Sequence, residues 1–160
     1  MNLTHVPLRV ATGAFILNSG LTKLKADDEA AEGLHGFAAT AYPTVETVPP
    51  KTFARLLGAG EIALGGALLA PMVPSVVAGA GLTGFGIGLM GLYARTPGLR
   101  QEGSIRPTEQ GVPIAKDAWL VGAGATMTLQ GIFGSARKAG KKAKKKVSSA
   151  TESAHDALPF

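Results

Sequence analysis

Ser75-Val-Val-Ala-Gly79-Ala-Gly81-Leu-Thr-Gly84-Phe-Gly-Ile-Gly88-Leu-Met-Gly91-Leu-Tyr-Ala94 is a run without one charged side chain. At ~1.5 Å per residue, about 20 residues of helix cross the ~30 Å of hydrocarbon in a bilayer. A helix on the surface of a soluble bundle would carry a charged face at helical period, and this run has none. It reads as a transmembrane span. Within it, Gly79-Ala-Gly81-Leu-Thr-Gly84 fits the spacing of a dinucleotide-binding fingerprint. That fingerprint needs a strand, a tight turn and a helix N-terminus meeting a pyrophosphate. An uninterrupted apolar helix supplies none of these, so the glycines read as packing residues. Gly81, Gly84, Gly88 and Gly91 recur at intervals of three and four, and are expected to form the face where neighbouring helices approach.

Working outward, Phe53 to Ala70 is a second apolar stretch, joined to the first by the very short Pro71–Pro74 turn. The two should form an antiparallel hairpin. Val6 to Leu24 and Ala118 to Gly134 complete a set of four stretches, with Arg9, Lys23, Lys116 and Asp117 at their ends. Long basic side chains reach the headgroups from such positions. Asn18 and Lys23 interrupt the place where a signal peptide would carry its apolar core and cleavage site, so the first stretch is expected to stay. Between Lys25 and Lys51, the segment Glu29 to Tyr42 has the pattern of an interfacial amphipathic helix ahead of Pro43 and Pro49-Pro50. Arg95 to Pro113, rich in Pro and Gly, should be irregular. The expected fold is all-α: an integral membrane four-helix bundle over residues 1–134, followed by a disordered lysine-rich tail over residues 135–160.

Composition agrees. Hydrophobic residues make up 46% of the 160 and charged residues 17%, where a soluble domain carries about 25% charge. Mean hydropathy is +0.21. The chain has no cysteine, which removes disulfides, thiolate chemistry, persulfide carriage and cysteine-held metals. His5, His35 and His155 lie outside the apolar runs, so no intramembrane histidine pair is available for haem. The net charge of +5 belongs wholly to the tail: seven Lys and Arg against two Asp and Glu follow Ser135, and the remainder balances nine against nine. Arg137, Lys138, Lys141, Lys142, Lys144, Lys145 and Lys146 directly after the fourth stretch place the C-terminus in the cytoplasm by the positive-inside rule. Four spans then bring the N-terminus to the same side.

Glu61 stands out among the side chains. Eight positions into its stretch, it would lie about 12 Å below the interface. A carboxyl there costs on the order of 2–4 kcal/mol unless paired, protonated or turned into the bundle. Asn18, Thr83 and Thr126 fall near the same depth and Gln130 one turn further, so the five form a candidate polar pocket for a quinone-like headgroup or a proton relay. The bland alternative is a polar contact between helices. Arg9, Lys23, Arg55 and Lys116 form a set of flanking cations, either interfacial anchors or a rim for anion capture. Helical rotation aligns Arg9, Gly13, Gly20 and Lys23 on one stripe. The tail could bind anionic lipid or an acidic partner; without interleaved aromatic residues, nucleic acid is not expected. No catalytic triad, carboxylate pair or metal-ligand cluster is present in the sequence.

The stretch Leu8-Arg9-Val-Ala-Thr-Gly13-Ala-Phe15-Ile-Leu-Asn18-Ser-Gly20-Leu-Thr-Lys23-Leu24 resembles the first helix of DoxX-like membrane proteins. Gly58-Ala-Gly-Glu61-Ile-Ala-Leu-Gly65-Gly66-Ala-Leu68 is similar to the family's second helix, where a glutamate precedes a glycine pair, and Lys116-Asp117 opens a similar fourth. The likeness covers roughly Leu8 to Phe133. It implies a four-helix bundle in the bacterial cytoplasmic membrane and an association with quinone-linked redox complexes, one branch of the family supplying subunits of thiosulfate:quinone oxidoreductase. The lack of cysteine argues against direct sulfur transfer. On this reading the chain is an accessory subunit within a larger membrane complex or a homo-oligomer, with quinone as the one cofactor to consider. The alternatives are a purely structural assembly protein and a small solute carrier.

Overall fold

Helix α1 (Val6–Leu24), α2 (Asp28–Ala39), α3 (Pro50–Leu69), α4 (Ser75–Arg95), the single turn α5 (Val112–Ala115) and α6 (Ala118–Asp156) follow in chain order. A short 3-10 turn at Pro43–Thr47 lies between α2 and α3. The computed structural model describes residues 5–156, with the side chains of 138, 145, 146 and 149–156 left out. Among the described residues no strand forms; Arg100 and Pro107 make one isolated bridge in the loop after α4.

Prolines place the helix starts. Pro7 and Pro50 occupy first-turn positions in α1 and α3, where a missing N–H costs nothing. Pro74 immediately precedes α4. Helix α2 begins at a capping side chain instead: Asp27 accepts a 2.9 Å hydrogen bond from the Ala30 amide. In the loop after α4, Gly98 and Gly103 hold positive φ, a conformation open to glycine.

The long helices pack antiparallel in two close pairs. In the first, α1 lies on α3 with glycine against glycine: a Cβ added to Gly20 would stand 2.6 Å from the Gly58 carbonyl oxygen, and one on Gly65 would stand 2.7 Å from the Leu17 amide. In the second, α4 lies on α6. There a Cβ on Gly79 would stand 2.8 Å from the Gly124 carbonyl, and one on Gly124 would stand 2.5 Å from the Thr83 amide. Ile16 of α1, Leu68 of α3, Ala78 and Leu82 of α4, and Leu120 and Met127 of α6 form a shared buried core. The expected glycine face of α4 is only partly packed: Gly81 meets Leu64 of α3 and Gly91 meets Tyr42, Gly84 and Gly88 have nothing within 4 Å of an added Cβ, and the close approach to α6 is made by Gly79 and Gly86 instead. A helix apolar all round gives no sequence cue to its rotation.

Helices α3 and α4 are each long and apolar enough to cross a membrane, and only 28% of either apolar window is buried. The core helix of a soluble protein would be mostly covered. Phe15, Leu56, Val77, Ile87, Leu129, Ile132 and Phe133 all point outward. On hydropathy α1 and α6 fall short, because Arg9, Asn18 and Lys23 interrupt one and Thr126, Thr128 and Gln130 the other.

The tail departs from expectation. It is not disordered as far as Asp156: α6 runs unbroken for 39 residues. Ala, Lys and Arg are among the best helix formers. The packed half of α6 also supplies the nucleus, so the basic half only has to propagate.

Candidate functional site

The seam between α1 and α3 collects three of the polar residues that the sequence singled out, Arg9, Lys23 and Glu61. Along α1, Arg9, Thr12, Gly13, Ile16 and Gly20 are buried; along α3, Ala54, Gly58, Glu61, Gly65 and Leu68. Spacings of three and four put each set on one face.

Arg9 closes one end of this seam. Its side chain is 2% exposed and donates to the carbonyls of Leu68 at 2.7 Å, Ala67 and Ala70 at 2.8 Å and Val73 at 2.9 Å. These include the last carbonyls of α3, which have no acceptor role inside the helix. The cation also complements the negative end of the helix dipole. With four of five donors engaged, Arg9 is a helix cap and turn clamp, not part of an open rim.

Glu61 lies at the other end, 4% exposed, paired with Lys23 at 2.9 Å. Lys23 also donates to Ser19 Oγ at 2.6 Å. The expected pocket does not assemble around this carboxylate. Asn18 and Thr126 are exposed, and the Thr126 and Thr83 hydroxyls donate to Gly122 and Gly79 of their own helices. Gln130, at the opposite end of the molecule, accepts from His5 Nε2 and so ties the start of α1 to α6. Lys23 is thus the residue missed as a partner for Glu61, though its place on the Arg9 stripe was the available signal. Lys23 lies against Gly58, so α1 ends beside the third turn of α3, and Glu61 lies about one turn further in, level with Gly20.

The remaining cations stay apart. Arg55 and Lys116 are exposed on the surface. Beside Lys116, Asp117 is 9% exposed and its Oδ1 has no hydrogen-bond partner. Burial pushes this carboxyl above the usual range and the neighbouring ammonium pulls it partly back. In the tail, Arg137, Lys141, Lys142 and Lys144 are exposed. The side chains of Lys138, Lys145 and Lys146, and that of His155, lie outside the described residues.

Helix α2 and its 3-10 turn cover the Glu61 end. Tyr42 donates to the Gly88 carbonyl at 2.8 Å with the Arg95 guanidinium over its ring, and Thr40 and Thr96 share a hydroxyl hydrogen bond. His35 stacks edge-on against Phe53 at the start of α3. A cleft of about 580 Å³ opens in the loop after α4 between Arg95, Arg100, Glu102 and Ser104, and a second of about 460 Å³ is lined by Gln130, Phe133, Gly134 and Arg137. Neither is lined by Glu61. Among the described residues no group of His, Cys, Asp and Glu has the arrangement of a metal site. The chain matches no family model, no curated protein and no solved structure.

Proposed function

We propose that this chain is a four-span, DoxX-like protein of the bacterial cytoplasmic membrane and serves as an accessory subunit of a quinone-linked redox or respiratory assembly. The observation that carries the membrane part concerns α1 and α6, whose polar residues depress their hydropathy. Arg9 is saturated by carbonyls, Lys23 is paired with Glu61, Gln130 is bonded to His5, and Thr126 and Thr128 donate to their own helices. Asn18 is the exception, exposed on α1; the other polar groups are satisfied and so are tolerated in lipid, where an unsatisfied one costs several kcal/mol. This pairing supports the reading in which both helices accompany α3 and α4 across the bilayer.

The family likeness gains support from the same seam. Arg9, Gly13, Gly20, Lys23, Gly58, Glu61 and Gly65 carry the resemblance, and all of them meet between α1 and α3. A quinone headgroup binding directly would draw on the Glu61–Lys23–Ser19 set. That set is already internally paired, which favours support of other subunits over chemistry within this chain. A purely structural role is the second reading, favoured by the same pairing.

The test is purification of a tagged chain in mild detergent, with bound proteins and quinones identified by mass spectrometry. Stoichiometric dehydrogenase or respiratory subunits are expected, and their activity should survive Glu61→Gln if the pair is structural. A lone protein carrying no quinone would sink the redox reading and leave the structural one.

A further inference from the structure

We propose that the part of α6 beyond the helix core stands upright from the membrane and binds anionic phospholipid headgroups with the cations nearest its root. The inference rests on the membrane reading above and deepens it by naming a ligand.

Among the described residues, the end of the molecule where α6 leaves the core is otherwise bare of accessible charge. The Pro71–Pro74 turn there is Pro-Met-Val-Pro, with Met72 85% exposed. An uncharged turn with an exposed methionine belongs in lipid, which sets the bilayer edge near this level. His5 is buried, and Arg9 is buried with its donors engaged. Among the described residues, positive charge offered to the leaflet at this end therefore comes from α6.

The height of each cation follows from the helix. Counting from Phe133, the last large apolar residue before the basic run, Arg137 and Lys138 sit ~6–8 Å out, Lys141 and Lys142 ~12–14 Å, and Lys144 to Lys146 ~16–20 Å. The headgroup layer is about 5–7 Å deep on each side, and the Debye length at physiological salt is about 8 Å. The helix positions of residues 137 and 138 thus fall within the headgroup layer, those of 141 and 142 within one screening length of it, and those of 144 to 146 near or beyond that length.

The opposite face explains why the helix need not lie flat. At 100° per residue the seven cations span an arc of roughly 200°. Ala136, Ala139, Gly140, Ala143 and Val147 fall outside that arc. One valine at the far end of four small residues is too little apolar surface to sink an interfacial helix into the acyl boundary. Lipid contact is then electrostatic and graded along the rod, strongest at the root. An acidic protein would use the rod in the opposite sense, because the outer lysines are the more approachable.

The chain is reconstituted in phosphatidylcholine bilayers, and the association of spin-labelled phosphatidylglycerol is compared with that of spin-labelled phosphatidylcholine at low and high salt. The expected result is a preference for phosphatidylglycerol that salt abolishes. Combining Arg137→Gln with Lys138→Gln should lower it by roughly twofold to fivefold, and combining Lys144→Gln with Lys145→Gln should lower it by less. Glutamine keeps helix propensity close to that of lysine, so the rod persists in both variants. Equal association of the two labels would overturn the proposal. So would a larger loss from the outer pair, or no lipid preference alongside salt-sensitive binding of polyglutamate; each of these points to an acidic partner. Release of the unmodified chain from membranes by alkaline carbonate would instead defeat the membrane reading itself.

Discussion

Two carboxylates in this molecule are buried under opposite conditions, and their variants should behave accordingly. Glu61 is 4% exposed and paired, while Lys23 opposite is 20% exposed. Lys23→Met leaves the deeper charge without its partner and should destabilise by about 3–5 kcal/mol. Glu61→Gln leaves the shallower cation, which keeps Ser19 and some solvent, and should cost about 1–3 kcal/mol. Thermal unfolding in detergent measures both, and equal small losses would mean that the pair is solvated. Asp117 has no such partner: burial raises its pKa above the ordinary 3.8, against the opposing pull of Lys116. Between 3.8 and the raised value the folded state holds a proton that the unfolded chain has released. Stability is then full below 3.8 and is lost as pH rises through the folded value. Asp117→Asn should flatten that acidic limb and raise the melting temperature at neutral pH. An unchanged pH profile would show that the carboxyl is hydrated.

At the scale of helices, glycines that look alike in sequence should differ sharply when replaced. Gly20→Ala or Gly124→Ala puts a methyl group within 2.6 Å of opposing backbone, so a helix must move. The expected loss is about 1–3 kcal/mol or more per site. Gly84→Ala and Gly66→Ala meet nothing within 4 Å and remove only glycine's helix penalty, so they should be neutral or stabilise by up to about 1 kcal/mol. Melting curves of the four variants decide the matter, and a loss at Gly84 matching that at Gly20 would show that this face is covered by another helix. The element boundaries themselves were legible. Val6–Leu24 falls where the first apolar stretch was read, α3 and α4 differ from theirs by a few residues, and α2 falls within a residue or two of the expected start of the interfacial segment and three short of its end. Prolines and charges punctuate those ends. Three things were not legible, each for its own reason. The rotation of α4 is hidden by apolarity on every side. The stagger of α1 on α3 is set by glycine packing, and it alone brings Lys23 to Glu61. The order in the tail comes from its continuity with a packed helix, which its composition does not reveal.

For the whole molecule the number of spans is the decisive quantity, and the fold makes it measurable. If α1, α3, α4 and α6 all cross, the loop over residues 96–111 lies on one side of the membrane, with the start of α1 and the end of α6 on the other. If only α3 and α4 cross as a hairpin, everything before Pro50 and after Arg95 shares one side. Ser104, in the exposed loop, and Ser148, beyond the lysine run, then report opposite sides in the first case and the same side in the second. The chain has no cysteine of its own, so Ser104→Cys and Ser148→Cys each introduce one unambiguous label site. In right-side-out vesicles an impermeant maleimide should modify the residue-104 variant at once and the residue-148 variant only after permeabilisation, as the positive-inside rule requires of the basic run. The reverse pattern would keep four spans and invert the molecule. Equal labelling of both would reduce the membrane domain to the α3–α4 hairpin. The Lys23–Glu61 pair and the Arg9 clamp would then be fixtures of a partly water-facing core, and the upright lysine rod would lose the bilayer on which its graded lipid contact depends.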